Sequence, residues 1–459
     1  MSRNRILIRG GHILTIDARL GELPRGDILV EGTKIAAIAP KLDVSDAEIV
    51  DASGKIVMPG LVDTHRHIWQ TVLRNIAADW TLNQYFAGVR GTLGRHFRPE
   101  DIFAGNLAGA YEALMSGVTT TLDWSHNMNT PDHADAAVAA LKQTGGRFLM
   151  CYGNSNDEWL PVSSIPISED ARRVRLEHFA SDDQLVTMGM ALRGPQYATP
   201  EATLQDWAIA RDLDVPVTVH VGDGAWGKNR PVAWLKAHGL LGPRVICAHC
   251  NSLARDEFQM MADCGCKAAM TPEIEMQMGH GWPATTRLRE VGIRPSLGVD
   301  IVTSNCGNLF QVMRTVLLVE RAFANQEADR EGKIVERLPI DTQDVVKMAT
   351  IFGAEALGMD DRIGSLTPGK EADIILIDAD NLEMSPMNNA VGAVVLAAHP
   401  GLVDSVFVAG RALKRNGKPV GFDQNAAIRK VTQARDYVLE QAGVQPGGRF
   451  IPDNYVAAA

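Results

Sequence analysis

Between residues 56 and about 355, short apolar runs alternate with stretches of helical period. The runs are Ile56–Thr64, Val118–Asp123, Arg147–Gly153, Val186–Arg193, Val215–His220, Arg244–His249, Cys266–Met270 and Ile293–Asp300. Helix-like segments lie between them, among them Phe103–Ser116, His133–Thr144, Leu204–Leu213 and Ala254–Cys264. Eight strands alternating with helices over about 300 residues predict a (β/α)8 barrel. The first 58 residues follow another pattern. Ile6–Ile8, His12–Ile16, Asp27–Val30 and Lys34–Ile38 are separated by glycine-rich turns, which predicts a small antiparallel sheet. After residue 360 that pattern returns, in Ala372–Asp378 and in a hairpin over Val403–Arg411 that turns at Ala409-Gly410. The expected fold is therefore α/β, a TIM-type barrel inserted into a small discontinuous β-sandwich. The expected segments are 1–58 and 361–423 for the sandwich, 59–360 for the barrel, and 424–459 for a C-terminal helix and tail.

Composition narrows the functional class. A chain of 459 residues with 46% hydrophobic and 22% charged residues reads as an ordinary soluble globular protein of more than one folding unit. No run of about 18 apolar residues is present, so no membrane span is expected. The N-terminus lacks the apolar core and cleavage site of a signal peptide. Six cysteines in so long a chain make no disulfide framework, and the expected setting is the cytoplasm. A net charge of −10 argues against nucleic acid or an anionic membrane as partner.

The candidate chemistry sits where the apolar runs end. His65-Arg66-His67 follows an apolar run and a Pro-Gly corner. Residues i and i+2 of a strand share a face, so both imidazoles leave it on one side, about 7 Å apart at the backbone. His220, His249 and Asp300 each end a later run. A lone histidine at a strand end is more often a satisfied structural group. Here the first, fifth, sixth and eighth strands all present a metal-capable side chain at the end where barrel enzymes do their chemistry. Three imidazoles and a carboxylate suit zinc, and also iron(II) or manganese(II). We assign His65, His67, His220 and Asp300 to one divalent metal per chain. His249 is either a further ligand or a hydrogen-bonding catalyst beside it. Such a metal generates hydroxide near neutral pH. Asp300 then accepts the water's proton, and His249 stabilises the oxyanion. Cys247-Ala248-His249-Cys250 contains a C-x-x-C without a second pair, and reads as buried thiols.

These motifs resemble the amidohydrolase superfamily, in the branch of guanine-type and adenosylhomocysteine-type deaminases and the triazine hydrolases. The matching residues are Pro59-Gly60-Leu61-Val62-Asp63-Thr64-His65-Arg66-His67 with Gln70, then Ser116-Gly117-Val118-Thr119-Thr120, His220, His249, and Gly298-Val299-Asp300 with Ser304-Asn305. Gly364–Asp373 also fits. The resemblance implies the barrel, the flanking sandwich, one catalytic divalent metal, a small heterocyclic substrate, hydrolysis at an sp2 carbon and a homo-oligomer. No lysine in Val186–Arg193 is available as a carboxylated bridge, which favours one metal over two.

Two departures stand out. The glutamate that the family's deaminases commonly place three residues after the fifth-strand histidine is Asp223 here. It either shuttles a proton to the leaving group or marks a different leaving group. After the seventh strand the chain reads Thr271-Pro272-Glu273-Ile274-Glu275, and Glu273 and Glu275 are candidates to read a ring N–H or an amino group. Gln70 and Trp80 resemble pocket positions of triazine and nucleobase relatives. Arg193 and Gln196 follow the fourth strand and are candidates for a polar ring edge or a carboxylate. The expected function is a metal-dependent aminohydrolase acting on a nitrogen heterocycle. Hydrolysis of an amide, a cyclic amide or a carbon–halogen bond by the same apparatus is the second reading, and a non-catalytic scaffold is the third.

Overall fold

The structure, a computed structural model, describes residues 5–156, 162–448 and 450–453. Eight parallel strands follow one another in sequence order: Leu61–Arg66, Val118–Ser125, Arg147–Tyr152, Val186–Leu192, Val217–Val221, Val245–His249, Lys267–Met270 and Ser296–Leu297. A parallel bridge from Arg66 to Asp300 joins the first strand to the end of the eighth. This is the TIM-type barrel. Nearly every residue of these strands is buried, as strands covered on both faces must be. Their apolar runs follow from that.

The intervening helices begin where the sequence supplies a start. Pro131–Thr144, Pro200–Asp212 and Pro231–Ala237 each open with proline in the first turn, where its missing N–H costs nothing. Thr199 caps the second of these by accepting from Ala202 N. Gly145 closes the first at φ 72°. None of the described helices is long and apolar enough to cross a membrane.

The run Ile56–Thr64, expected as one strand, is two. Lys55–Pro59 joins a second sheet and Leu61–Arg66 joins the barrel. The break falls at Gly60, where an added Cβ would lie 2.0 Å from Thr119 Oγ1. Only glycine lets the backbone pass so close to that side chain.

The second sheet has nine strands and is mixed. It takes five strands from residues 5–59 and four from residues 374–419. The expectation of a purely antiparallel sheet is corrected: Arg5–Leu14 runs antiparallel to Glu22–Glu31 but parallel to Glu48–Asp51 and Lys55–Pro59. The two short strands expected on either side of Gly10-Gly11 are one strand. Gly10 at φ 77° absorbs a register shift between Ile8 and Gly11, a bulge rather than a turn. Lys55–Pro59 pairs antiparallel with Ile374–Asp378, which joins the two ends of the chain in one sheet. The sheet's core holds Ile6, Ile8, Ile28, Val57, Ile374 and Phe407. The hairpin Val403–Val408 to Arg411–Arg415 turns at Ala409-Gly410 as expected, both residues at positive φ.

Backbone contacts group the chain into two compact units. The first comprises Met1–Asp63, Glu112–Thr120 and Asn308–Phe422, and the second Thr64–Tyr111, Thr121–Gly307 and Asp423–Ala459. Every side chain of the candidate site belongs to the second.

Candidate active site

The site begins with backbone locks between the first and eighth strands. Asp300 N donates to His65 O at 2.7 Å and His67 N donates to Asp300 O at 2.9 Å. Gly298 permits this approach, because a Cβ there would stand 2.7 Å from His65 O. Two non-glycine residues pay for the geometry in strain: His249 is at φ 73° and Asp300 at φ 66°. Left-handed backbone at such residues clusters at functional sites.

These locks aim four side chains at one point. His220 Nε2 lies 3.3 Å from His65 Nε2. Asp300 Oδ1 lies 3.5 Å from His65 Nε2 and 3.2 Å from His67 Nε2. Donors bound to one tetrahedral centre at about 2.05 Å stand about 3.3 Å apart, so the spacing is that of a ligand set. The chemistry of the atoms agrees. His67 Nδ1 lies 3.3 Å from the Trp124 carbonyl, to which it donates, leaving the Nε2 lone pair facing inward. Burial holds the His67 imidazole down at about 4 and His220 well below its ordinary value, so both are neutral. Burial favours the protonated form of Asp300, yet His65 and His67 outweigh it and keep the carboxyl well below the usual range. Two overlapping groups have metal-binding spacing among the described residues, His65-His67-Asp300 and His65-His220-His249.

His249 is set slightly apart. Its Nε2 is 3.9 Å from Asp300 Oδ2. Its Nδ1 is 3.0 Å from Thr271 Oγ1 and 3.5 Å from Glu275 Oε1. Burial would lower its pKa, but Asp223, Glu275 and Asp300 outweigh burial and raise it to about 9. Glu275 is fully buried and also accepts from Thr271 N at 2.8 Å.

A cavity opens over this cluster. Its wall includes His67, His220, His249 and Asp300, and also Asp223 and Arg193. Asp223 is buried and its Oδ2 accepts from the Tyr197 hydroxyl at 2.7 Å. The other expected substrate contacts, Gln70, Trp80, Gln196, Glu273 and Glu275, are not among the residues that line the cavity. Gln70 stands behind Tyr85 and donates to its hydroxyl oxygen at 2.6 Å. Trp80 turns away, packs on Phe450 and donates to its carbonyl at 2.8 Å. The reason is local: the chain after the first strand coils into Leu82–Tyr85 and a π-helix, Phe86–Leu93, and these present Tyr85 and Arg90 instead. Gln196 accepts from Gly222 N at 2.9 Å and so braces the loop that carries Asp223. Glu275 contacts His249, and Glu273 is half-buried on the same short helix, Pro272–Gln277.

The sequence reading missed His126, His280, Arg90 and Tyr197, all of which line the cavity. His126 directly follows the second barrel strand, so the rule that found His220 would have found it. His280 lies in the loop after the seventh strand, its ring 4.9 Å from that of His249. Arg90 carried no sequence signal.

A parallel barrel with three histidines and an aspartate converging at the strands' C-terminal ends defines a class, the barrel hydrolases built on a metal centre. Residues 56–413 match the model of the amidohydrolase family, and the chain belongs to that family. It is 29% identical over 91% of its length to a 5′-deoxyadenosine deaminase of Methanothermobacter thermautotrophicus, covering 95% of that protein. Among solved structures it resembles a zinc-bound adenosine deaminase of Xanthomonas campestris, at 26% identity and a TM-score of 0.81, over 95% of this chain and 98% of that one. It also shares its fold with the zinc complex of an atrazine chlorohydrolase from Arthrobacter aurescens, at 24% identity and a TM-score of 0.81, over 94% of this chain and 100% of that one.

Proposed function

We propose that this protein is a metal-dependent aminohydrolase that removes an amino group from an aromatic nitrogen heterocycle. The observation that carries the reading is the convergence of His65, His67, His220 and Asp300 beneath a cavity that also holds Asp223 and His249. The deaminases of adenosine-type compounds among the relatives support it.

The four converging side chains would hold one divalent ion, zinc by their donor types. When bound, that ion supplies Lewis acidity and lowers the pKa of a coordinated water to about 7. The residues do the rest. Asp300 accepts a proton from the attacking water as its oxygen bonds to the ring carbon. His249, held at Nδ1 by Thr271 and Glu275, turns Nε2 to the reacting centre and stabilises the charge that develops there. Asp223, fixed by Tyr197 through one oxygen, carries the proton to the departing nitrogen, which leaves as ammonia. Trp124, stacked on His220 at 3.8 Å, and Phe86 offer aromatic faces to a flat ring.

All six cysteines are free thiols, which supports a cytoplasmic setting within this proposal. Self-association is the further expectation, read by sedimentation of the purified protein.

The test is an ammonia-release screen of zinc-loaded protein on purines, pyrimidines, pterins, aminotriazines and cyclic amides, with mass spectrometry of each mixture. Ammonia with exchange of an amino group for oxygen on one ring supports the reading. Loss of halide from a halogenated ring, or ring opening without ammonia, replaces it with the second hydrolytic reading.

A further inference from the structure

One wall of the cavity carries hydrogen-bond donors with no use in the chemistry above. Arg90 lines the cavity and is almost fully buried. Its Nη1 donates to the carbonyl of His126 at 2.7 Å. No carboxylate among the described residues pairs with it, although a buried guanidinium normally has such a partner. Burial brings its pKa down only to about 9, so it remains a cation at neutral pH.

His126 stands beside it, its ring 4.3 Å from that of His67. The indole N–H of Trp69 donates to His126 Nδ1 at 3.0 Å. An indole nitrogen only donates, so Nδ1 is the acceptor and the ring hydrogen is on Nε2. The third group is Tyr85, whose oxygen accepts from Gln70 Nε2 and whose hydroxyl hydrogen is thereby left for another partner. All three line one cavity. The carboxylates of the cavity, Asp223 and Asp300, come instead from the ends of the fifth and eighth strands.

We propose that Arg90, His126 and Tyr85 form a subsite for an anionic oxygen group, a carboxylate, carried by the substrate. The proposal deepens the deaminase reading and rests on it only for the ring to which the carboxylate is attached. A cation and two neutral donors without a carboxylate acceptor match the lone pairs of such a group. A neutral ring alone would leave the guanidinium buried and unpaired. The substrate class is therefore an amino-substituted heterocycle bearing a carboxylate.

The experiment titrates the zinc-loaded full-length protein with benzoate and with benzamide, its neutral counterpart of the same shape. Binding is read by calorimetry and by quenching of tryptophan emission. Benzoate is expected to bind about tenfold tighter or more than benzamide. Arg90→Gln is expected to erase that preference, Arg90→Lys to keep part of it, and Tyr85→Phe to weaken benzoate several-fold while leaving benzamide unchanged. Equal affinity for both probes in the unmodified protein overturns the proposal. So does unchanged benzoate binding in Arg90→Gln, which would place the carboxylate on the metal or on Arg193. Where Arg90→Gln fails to fold, as judged by circular dichroism, Arg90→Lys and Tyr85→Phe decide, and unchanged benzoate affinity in both overturns it. Benzoate preference without ammonia release from any amino-heterocycle carboxylate would keep the subsite and remove the deaminase reading. Ammonia release from neutral rings at a rate that Arg90→Gln does not alter would do the reverse.

Discussion

At the scale of single residues, Asp223 and Glu275 carry different tasks. Asp223→Asn keeps the size and the bond from Tyr197 but cannot carry a proton. It should lower kcat by about 10²–10⁴-fold with metal content unchanged. A kcat within twofold of the unmodified enzyme would remove Asp223 from the chemistry. Glu275 touches His249 and not the cavity, so it acts through the imidazole it orients. Glu275→Gln keeps an acceptor for Thr271 N and loses the charge. It should lower kcat by about 10–100-fold with little change in KM, and a change confined to KM would contradict that role. The convergence of His65, His67, His220, His249 and Asp300 was legible because each one ends an apolar run, and a barrel gathers the ends of its strands. The cavity wall was less legible. Tyr85 and Arg90 reach it from the short helix Leu82–Tyr85 and the π-helix that follows, which no periodicity announces, and Trp80 before them turns to the other side.

At the scale of elements, the eight barrel strands could be read because burial on both faces leaves uninterrupted apolar runs. The boundaries could not be read where one run serves two sheets. Ile56–Thr64 is continuous in hydropathy and is divided only by the close approach of Thr119 to Gly60. The glycines of Gly10-Gly11 look like a turn and make a bulge. Close approach is a tertiary fact that one strand's sequence does not contain. It can be tested at Gly298, where a Cβ would press on His65 from 2.7–2.8 Å on three atoms, two of them backbone. Gly298→Ala should destabilise the fold by about 1–3 kcal/mol, measured by chemical denaturation. It should also weaken zinc retention, because His65 and Asp300 are set by the same strand pair. Full stability and full zinc content in that variant would show that the strands have room to part.

At the scale of the whole molecule, one ion held by His65, His67, His220 and Asp300 would tie together three separate strands. Elemental analysis should find about one divalent metal per chain. Removal by a chelator should abolish activity and lower the melting temperature, since an ion at about 1,000 times its Kd contributes about 4 kcal/mol. Added zinc should restore both. An unchanged melting temperature after complete removal would mean that the site is preformed and the ion contributes nothing to the fold. The mixed sheet was legible in outline, since turn-rich strands at both ends of the sequence called for a common partner. Its parallel pairings were not, because strand direction is fixed by connections that the pattern does not display.

That sheet has a consequence for the birth of the protein. One edge of Lys55–Pro59 pairs with Arg5–Leu14, but the other finds its neighbour only in Ile374–Asp378, far later in the chain. A ribosome that adds about 5–20 residues per second needs on the order of 15–60 s to cover that distance. For that interval the nascent chain holds a sheet with one open margin, a surface that invites pairing with another polyribosome product. Yield in a cell should therefore depend on the holding chaperones that meet the chain during synthesis.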